Sequence, residues 1–134
     1  MLITMAIQVA VVVLMIRYLF KKMRQNKGLA LSFSFDTTVI IMVMLLLFIG
    51  HLIQVAIWAG LFIYLGEFSN FQTAFYHSMV NFASLGYGDI VMSASWRLLG
   101  AIEASNGVLM FGLSAGTLLA VMGKLFNRHL ENTQ

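Results

Sequence analysis

Ala83-Ser84-Leu85-Gly86-Tyr87-Gly88-Asp89 is the stretch on which the fold turns. Two glycines flanking one aromatic residue fit poorly in a helix interior. They read as backbone with special dihedrals. Immediately before them, Phe71 to Phe82 (FQTAFYHSMVNF) predicts a short helix over 71–83, with Ser69 or Asn70 as its N-cap. Phe71, Phe75, Met79 and Phe82 recur every three or four residues and give that helix one apolar face.

Working outward, the flanks are long and apolar. A spanning helix needs about 20 mostly apolar residues. Thr37 to Gly66 runs thirty residues without Asp, Glu, Lys or Arg, and Leu98 to Gly123 holds one charge, Glu103. Leu2 to Phe20 qualifies as a further span, with Arg17 near its end. The composition agrees: 60% of residues are hydrophobic and 10% charged, against about 25% charged in a soluble domain. Mean hydropathy is +0.90. A water-soluble globule of this size cannot hide so much apolar surface. A soluble enzyme, a disordered tail and a nucleic-acid-binding module are therefore disfavoured. The absence of cysteine excludes disulfides and thiolate metal sites. No nucleophile, metal cluster or phosphate loop points to an enzyme.

The expected architecture is an all-α membrane protein. It has three transmembrane helices plus a short re-entrant helix and a glycine-bearing loop. An N-terminal span and basic loop occupy 1–36, and a pore unit occupies 37–126. That unit comprises an outer helix 37–66, a pore helix 71–83, a filter 84–89 and an inner helix 96–126. A short tail follows at 127–134. Asp36 or Thr37 is the expected cap of the second span, and Lys21 to Ser34 is the expected linker, turning near Gly28. Seven of the eight basic residues (Arg17, Lys21, Lys22, Arg24, Lys27, Lys124 and Arg128) fall on one side of the spans, and Arg97 on the other. The positive-inside rule makes the first side cytoplasmic, so the N-terminus faces out and the C-terminus in. Because the charges follow the first apolar run, that run reads as a retained span rather than a cleaved signal. The basic loop is a topology signal or a contact for anionic lipid heads.

Non-helical backbone at membrane depth is tolerated only where protein buries it or water lines it. A short helix followed by this loop therefore implies a pore. At this point the chain resembles a family. Ser84-Leu85-Gly86-Tyr87-Gly88-Asp89 is similar to the selectivity filter of potassium channels, usually Thr-Val-Gly-Tyr-Gly-Asp. The resemblance covers Thr37 to Phe126. It implies a bacterial type carrying an additional N-terminal span, and the small size and lack of added domains suggest a prokaryotic inner (plasma) membrane.

The resemblance also implies a homotetramer that conducts K+ passively. Four copies of Ser84, Leu85, Gly86, Tyr87 and Gly88 would form the filter, with backbone carbonyls of Ser84 to Tyr87 replacing the water shell of the ion. Beyond K+ itself it implies no cofactor, and its partners are identical copies and membrane lipids, not nucleic acid. Gly86 and Gly88 would allow the alternating backbone handedness that aims successive carbonyls one way. Asp89 would hydrogen-bond toward the pore helix, or else stand solvated at the mouth. With Glu67 it would make the mouth acidic. The negative end of the pore-helix dipole, near Phe82, would favour a cation.

Ala83, Ser84 and Leu85 depart from the usual pattern, as does the lack of a proline soon after Asp89. These departures keep a weakly selective cation channel as an alternative, beside a non-conducting scaffold or modulatory subunit. On the inner helix, Gly107 is a bending point or a packing point, and Val108, Phe111 and Ala115 share one face that lines a cavity or meets lipid or a neighbour. Glu103 is expected to face protein or water. It would accept a hydrogen bond from the pore helix, with Asn81 as candidate donor, as a structural carboxyl or as a pH-sensitive coupling to the filter. Asn106, His51 and Gln54 read as interhelical polar residues, and His77 as a titratable group in the pore helix. With Arg17 alone in the first span, no strong voltage sensor is expected.

Overall fold

The computed structural model describes residues 1–25 and 33–131. These residues form four helices: α1 (Leu2–Gln25), α2 (Phe33–Tyr64), α3 (Phe71–Phe82) and α4 (Arg97–Glu131). Three of them contain segments long and apolar enough to cross a membrane: Leu2–Leu19, Ser34–Tyr64 and Arg97–Asn127. At 12 residues, α3 is about 18 Å long, well short of the ~30 Å hydrocarbon core.

The bounds differ from the expected ones for local reasons. α1 continues past Phe20 because Lys21, Lys22 and Arg24 are good helix formers. α2 starts at Phe33, so Asp36 lies in its first turn instead of capping it, where its negative charge complements the positive end of the helix dipole. Thr37 is likewise internal. The two ends of the expected linker, 21–25 and 33–34, are thus helical, and its turn near Gly28 lies outside the described residues.

α2 and α3 end alike. After α2, Gly66 (φ 73°) donates to Ile63 O at 3.0 Å and Glu67 to Phe62 O at 3.0 Å. After α3, Ser84 donates to Asn81 O at 2.8 Å and Leu85 to Val80 O at 2.9 Å. Both are the paired closing bonds of a Schellman motif around a left-handed residue. At the other end of α3 the Asn70 side chain accepts from Gln72 N–H at 2.8 Å, one of the two expected caps.

Two apolar clusters form the core. One joins Val12, Met15 and Leu19 of α1 to Val39, Val43 and Leu47 of α2 and Val121 and Leu125 of α4. The other joins Val55, Trp58 and Phe62 of α2 to Phe82 of α3 and Met110 of α4. Beside them is a set of buried polar residues: Thr4, Gln8, His51, Gln54, Asn106 and Ser114. The outer sides of α1 and α2 are apolar and exposed, including Val9, Leu14, Ile41, Leu45, Phe48 and Ile57.

Candidate functional site

The segment Ser84–Asp89 leaves the C-terminus of α3 with an alternating backbone. Ser84 (φ 56°), Gly86 (φ 62°) and Gly88 (φ 73°) are left-handed, whereas Leu85 and Tyr87 are not. Glycine takes this conformation freely. Ser84 does so because it is the left-handed residue that follows the C-cap Ala83 and closes the Schellman motif of α3, at a cost of about 1–2 kcal/mol. The sequence pointed to the two glycines; the third left-handed position became visible only with the cap. Leu85 and Tyr87 are exposed, Tyr87 at 65%, so nothing else among the described residues covers these two side chains.

Its outer end is tied to α3. The Tyr76 hydroxyl donates to Asp89 Oδ2 at 2.6 Å. The backbone N–H groups of Asp89 and Ile90 also help to favour the ionised form of that carboxylate. The Tyr76 bond is the main reason that the Asp89 carboxyl titrates below the ordinary range and that the Tyr76 hydroxyl titrates above it. Asp89 thus bonds back to the short helix, while remaining exposed. Glu67 is engaged elsewhere: its carboxylate accepts from the N–H of Ser93 and, at 2.8 Å, from the Ser93 hydroxyl. Ser93 in turn accepts from Arg97 N–H at 3.0 Å, so Glu67 ties the end of α2 to the turn that starts α4.

His77 lies next to Tyr76 with Nδ1 3.0 Å from Ile90 O and Nε2 2.9 Å from the Asn81 amide nitrogen. A carbonyl only accepts and an amide nitrogen only donates. The tautomer protonated on Nδ1 satisfies both. One N–H of the Asn81 amide is therefore taken by His77, and Glu103 accepts a hydrogen bond from Ser78, one turn of α3 earlier. Asn81 still lies near the same carboxylate. Ser78 Oγ also lies 3.1 Å from Val55 O, so α2, α3 and α4 meet at this hydroxyl. Glu103 is fully buried.

Gly107 is where α4 comes closest to α3. A β-carbon there would stand 1.9 Å from the Phe82 carbonyl oxygen. That contact gives the packing reading of Gly107 a physical cause. Val108, Phe111 and Ala115 lie together on an exposed face of α4, and the Phe111 ring also meets His51 in a tilted contact at 4.8 Å and Phe82 edge-on at 5.7 Å. Asn106, His51 and Gln54 are all buried and bonded between helices, as their positions in apolar spans required. Sequence reasoning missed Tyr76, Ser78, Thr4 and Gln8. The last two carried a readable signal, since they are polar residues inside an apolar span.

No curated protein and no solved structure matches the chain significantly. A family model described as an ion channel matches residues 38–124, which includes the last part of α2's first turns through to α4 and more than half of the chain. With three helices able to cross a bilayer, the protein is an integral membrane protein, and it belongs to the ion channel family.

Proposed function

We propose that this channel conducts K+ selectively, through a filter built from Ser84 to Gly88 in four identical copies around one axis. The observation that carries the reading is the alternation of left-handed residues at 84, 86 and 88, immediately after a short helix and between two spanning ones. Alternating handedness turns successive peptide groups so that their carbonyls face one side. Rings of such carbonyls replace the hydration shell of a potassium ion. The exposed side of the segment, uncovered within one chain, is what a symmetric assembly would bury.

In this reading α3 re-enters the membrane from outside and stops part-way. Its C-terminal dipole and the carbonyls at its end favour a cation there. The carbonyls of Ser84, Leu85, Gly86 and Tyr87 form the ion sites and the Ser84 hydroxyl adds the innermost ring. The Tyr76–Asp89 bond braces the outer end against α3. Val108, Phe111 and Ala115 line the passage below the filter, with the basic side of the membrane cytoplasmic.

Potassium efflux from liposomes tests this reading. The native protein releases K+, and Gly86→Ala stops the release while the protein still folds, because alanine resists φ 62° though its β-carbon meets nothing within 4 Å. Undiminished efflux in that variant, or no efflux from the native protein, refutes the filter.

A further inference from the structure

We propose that α1 is a positioning clamp for α4, with Gln8 as its key residue, and that this clamp sets how often the channel opens. The inference rests on the conduction reading above and concerns a helix that the reading leaves without a task.

Gln8 is fully buried in an apolar span and bonds to both long helices of the pore unit. Its carbonyl Oε1 accepts from Gln54 Nε2 of α2 at 2.8 Å, and its amide Nε2 donates to Ser114 Oγ of α4 at 3.1 Å. Ser114 Oγ lies 3.0 Å from His51 Nε2, returning the path to α2. Gln54 also donates to Gly50 O at 3.3 Å. Gly50 leaves room for this: a β-carbon there would stand 2.8 Å from Gln8 Oε1. A second bridge runs beside the first, from Asn106 Nδ2 of α4 to Thr4 Oγ1 of α1 at 3.2 Å.

The two bridges hold α4 at Asn106 and Ser114, either side of Gly107 and Phe111. Farther along, α1 and α4 share an apolar cluster of Val12, Met15, Leu19, Val121 and Leu125. Apolar contacts are non-directional and permit sliding and rotation. Hydrogen bonds between polar side chains in hydrocarbon do not, because a shifted α4 leaves an amide and a hydroxyl without partners where no water replaces them. Gln8 therefore favours one placement of α4 over others. The network includes none of the residues from Ser84 to Asp89, so its loss acts on the placement of α4 and removes no group from the ion sites.

Gln8→Leu, of similar size but without the amide, is the test, with Val9→Ala on the exposed side of α1 as control. In single-channel recordings of the reconstituted full chain, Gln8→Leu shifts open probability at least tenfold. Unitary conductance and reversal potential stay as in the native protein, and the control behaves as native. Ser114→Ala produces a shift in the same direction, and the double variant adds little to either single one, as expected for two members of one bridge. A second measurement needs no current. The sequence lacks cysteine, so Leu119→Cys, on an exposed part of α4, carries a single spin label. Its mobility rises in Gln8→Leu and not in Val9→Ala. Native open probability in Gln8→Leu overturns the clamp, even if that variant melts at a lower temperature, since a purely structural contact would do only that. Should the native chain pass no current, the conduction reading fails, and unchanged label mobility then overturns the clamp separately.

Discussion

Gly107 rests against the carbonyl of Phe82 so closely that a single added methyl group would lie 1.9 Å from that oxygen. The carbonyl belongs to the last residue of α3, two positions before the first left-handed residue at Ser84. Contact between α4 and the end of α3 that leads into the candidate filter is thus backbone to backbone. Gly107→Ala must push the helices apart, and overpacking of this kind costs about 1–3 kcal/mol. The expected result is a lower thermal midpoint in detergent. Gly60→Ala serves as the counterpart: nothing lies within 4 Å of its added β-carbon, and helix propensity makes it neutral or slightly stabilising.

Tyr76 and Asp89 give a pH prediction whose sign follows from their shifts. Asp89 titrates below its ordinary value of 3.8, so its contribution is complete above that value and disappears as pH falls through the lower, folded value. Tyr76 titrates above 10.0, so its contribution is complete below that value and is lost as pH rises through the higher, folded one. The bond is therefore intact from about pH 5 to 9, and potassium flux through it does not vary over that window on its account. Tyr76→Phe removes the donor at every pH. Briefer openings, measured in single-channel records at neutral pH, are the expected consequence.

Ser84 combines a left-handed backbone with a hydroxyl, and a glycine replacement separates the two. Ser84→Gly relieves the backbone cost and raises stability without ions by about 0.5–1 kcal/mol. It also removes the proposed innermost ring. A melting series with added potassium then displays a smaller ion-dependent rise than in the native protein.

Ser78 and Glu103 join α3 to α4 inside the span. Glu103→Gln keeps an acceptor for the Ser78 hydroxyl and preserves assembly. Glu103→Leu loses it and costs about 0.5–2 kcal/mol, as a drop in thermal midpoint. Any response of open probability between about pH 5 and 8 disappears in Glu103→Gln if this carboxyl causes it; persistence assigns the response to another group.

Much of this arrangement was legible in the residues themselves. Apolar runs gave three long helices, and the 71-to-82 periodicity gave the short one. Gly86 and Gly88 marked backbone that no ordinary residue adopts easily. What could not be read was which polar side chains meet. Asn81 was the expected donor to Glu103 and does lie beside that carboxylate, but the ring of His77 takes one of its amide N–H groups, and Ser78, which carried no signal, also bonds to Glu103. Tyr76 gave no signal, because nothing in a one-dimensional pattern brings position 76 beside position 89. Nor did Asp36 advertise that α2 would start three residues earlier. Helix ends depend on small differences in propensity, whereas long apolar spans depend on a large transfer energy. Gln8 lay between these cases: its burial was foreseeable from its polarity, and its partners Gln54 and Ser114 were not.

The reversal potential of the purified protein in a planar bilayer tests the central claim most directly. With a tenfold K+ gradient opposed by Na+, carbonyl rings from 84 to 87 predict a current that reverses near the potassium equilibrium potential, about 59 mV from zero. Reversal near zero, or no current at all, contradicts the account.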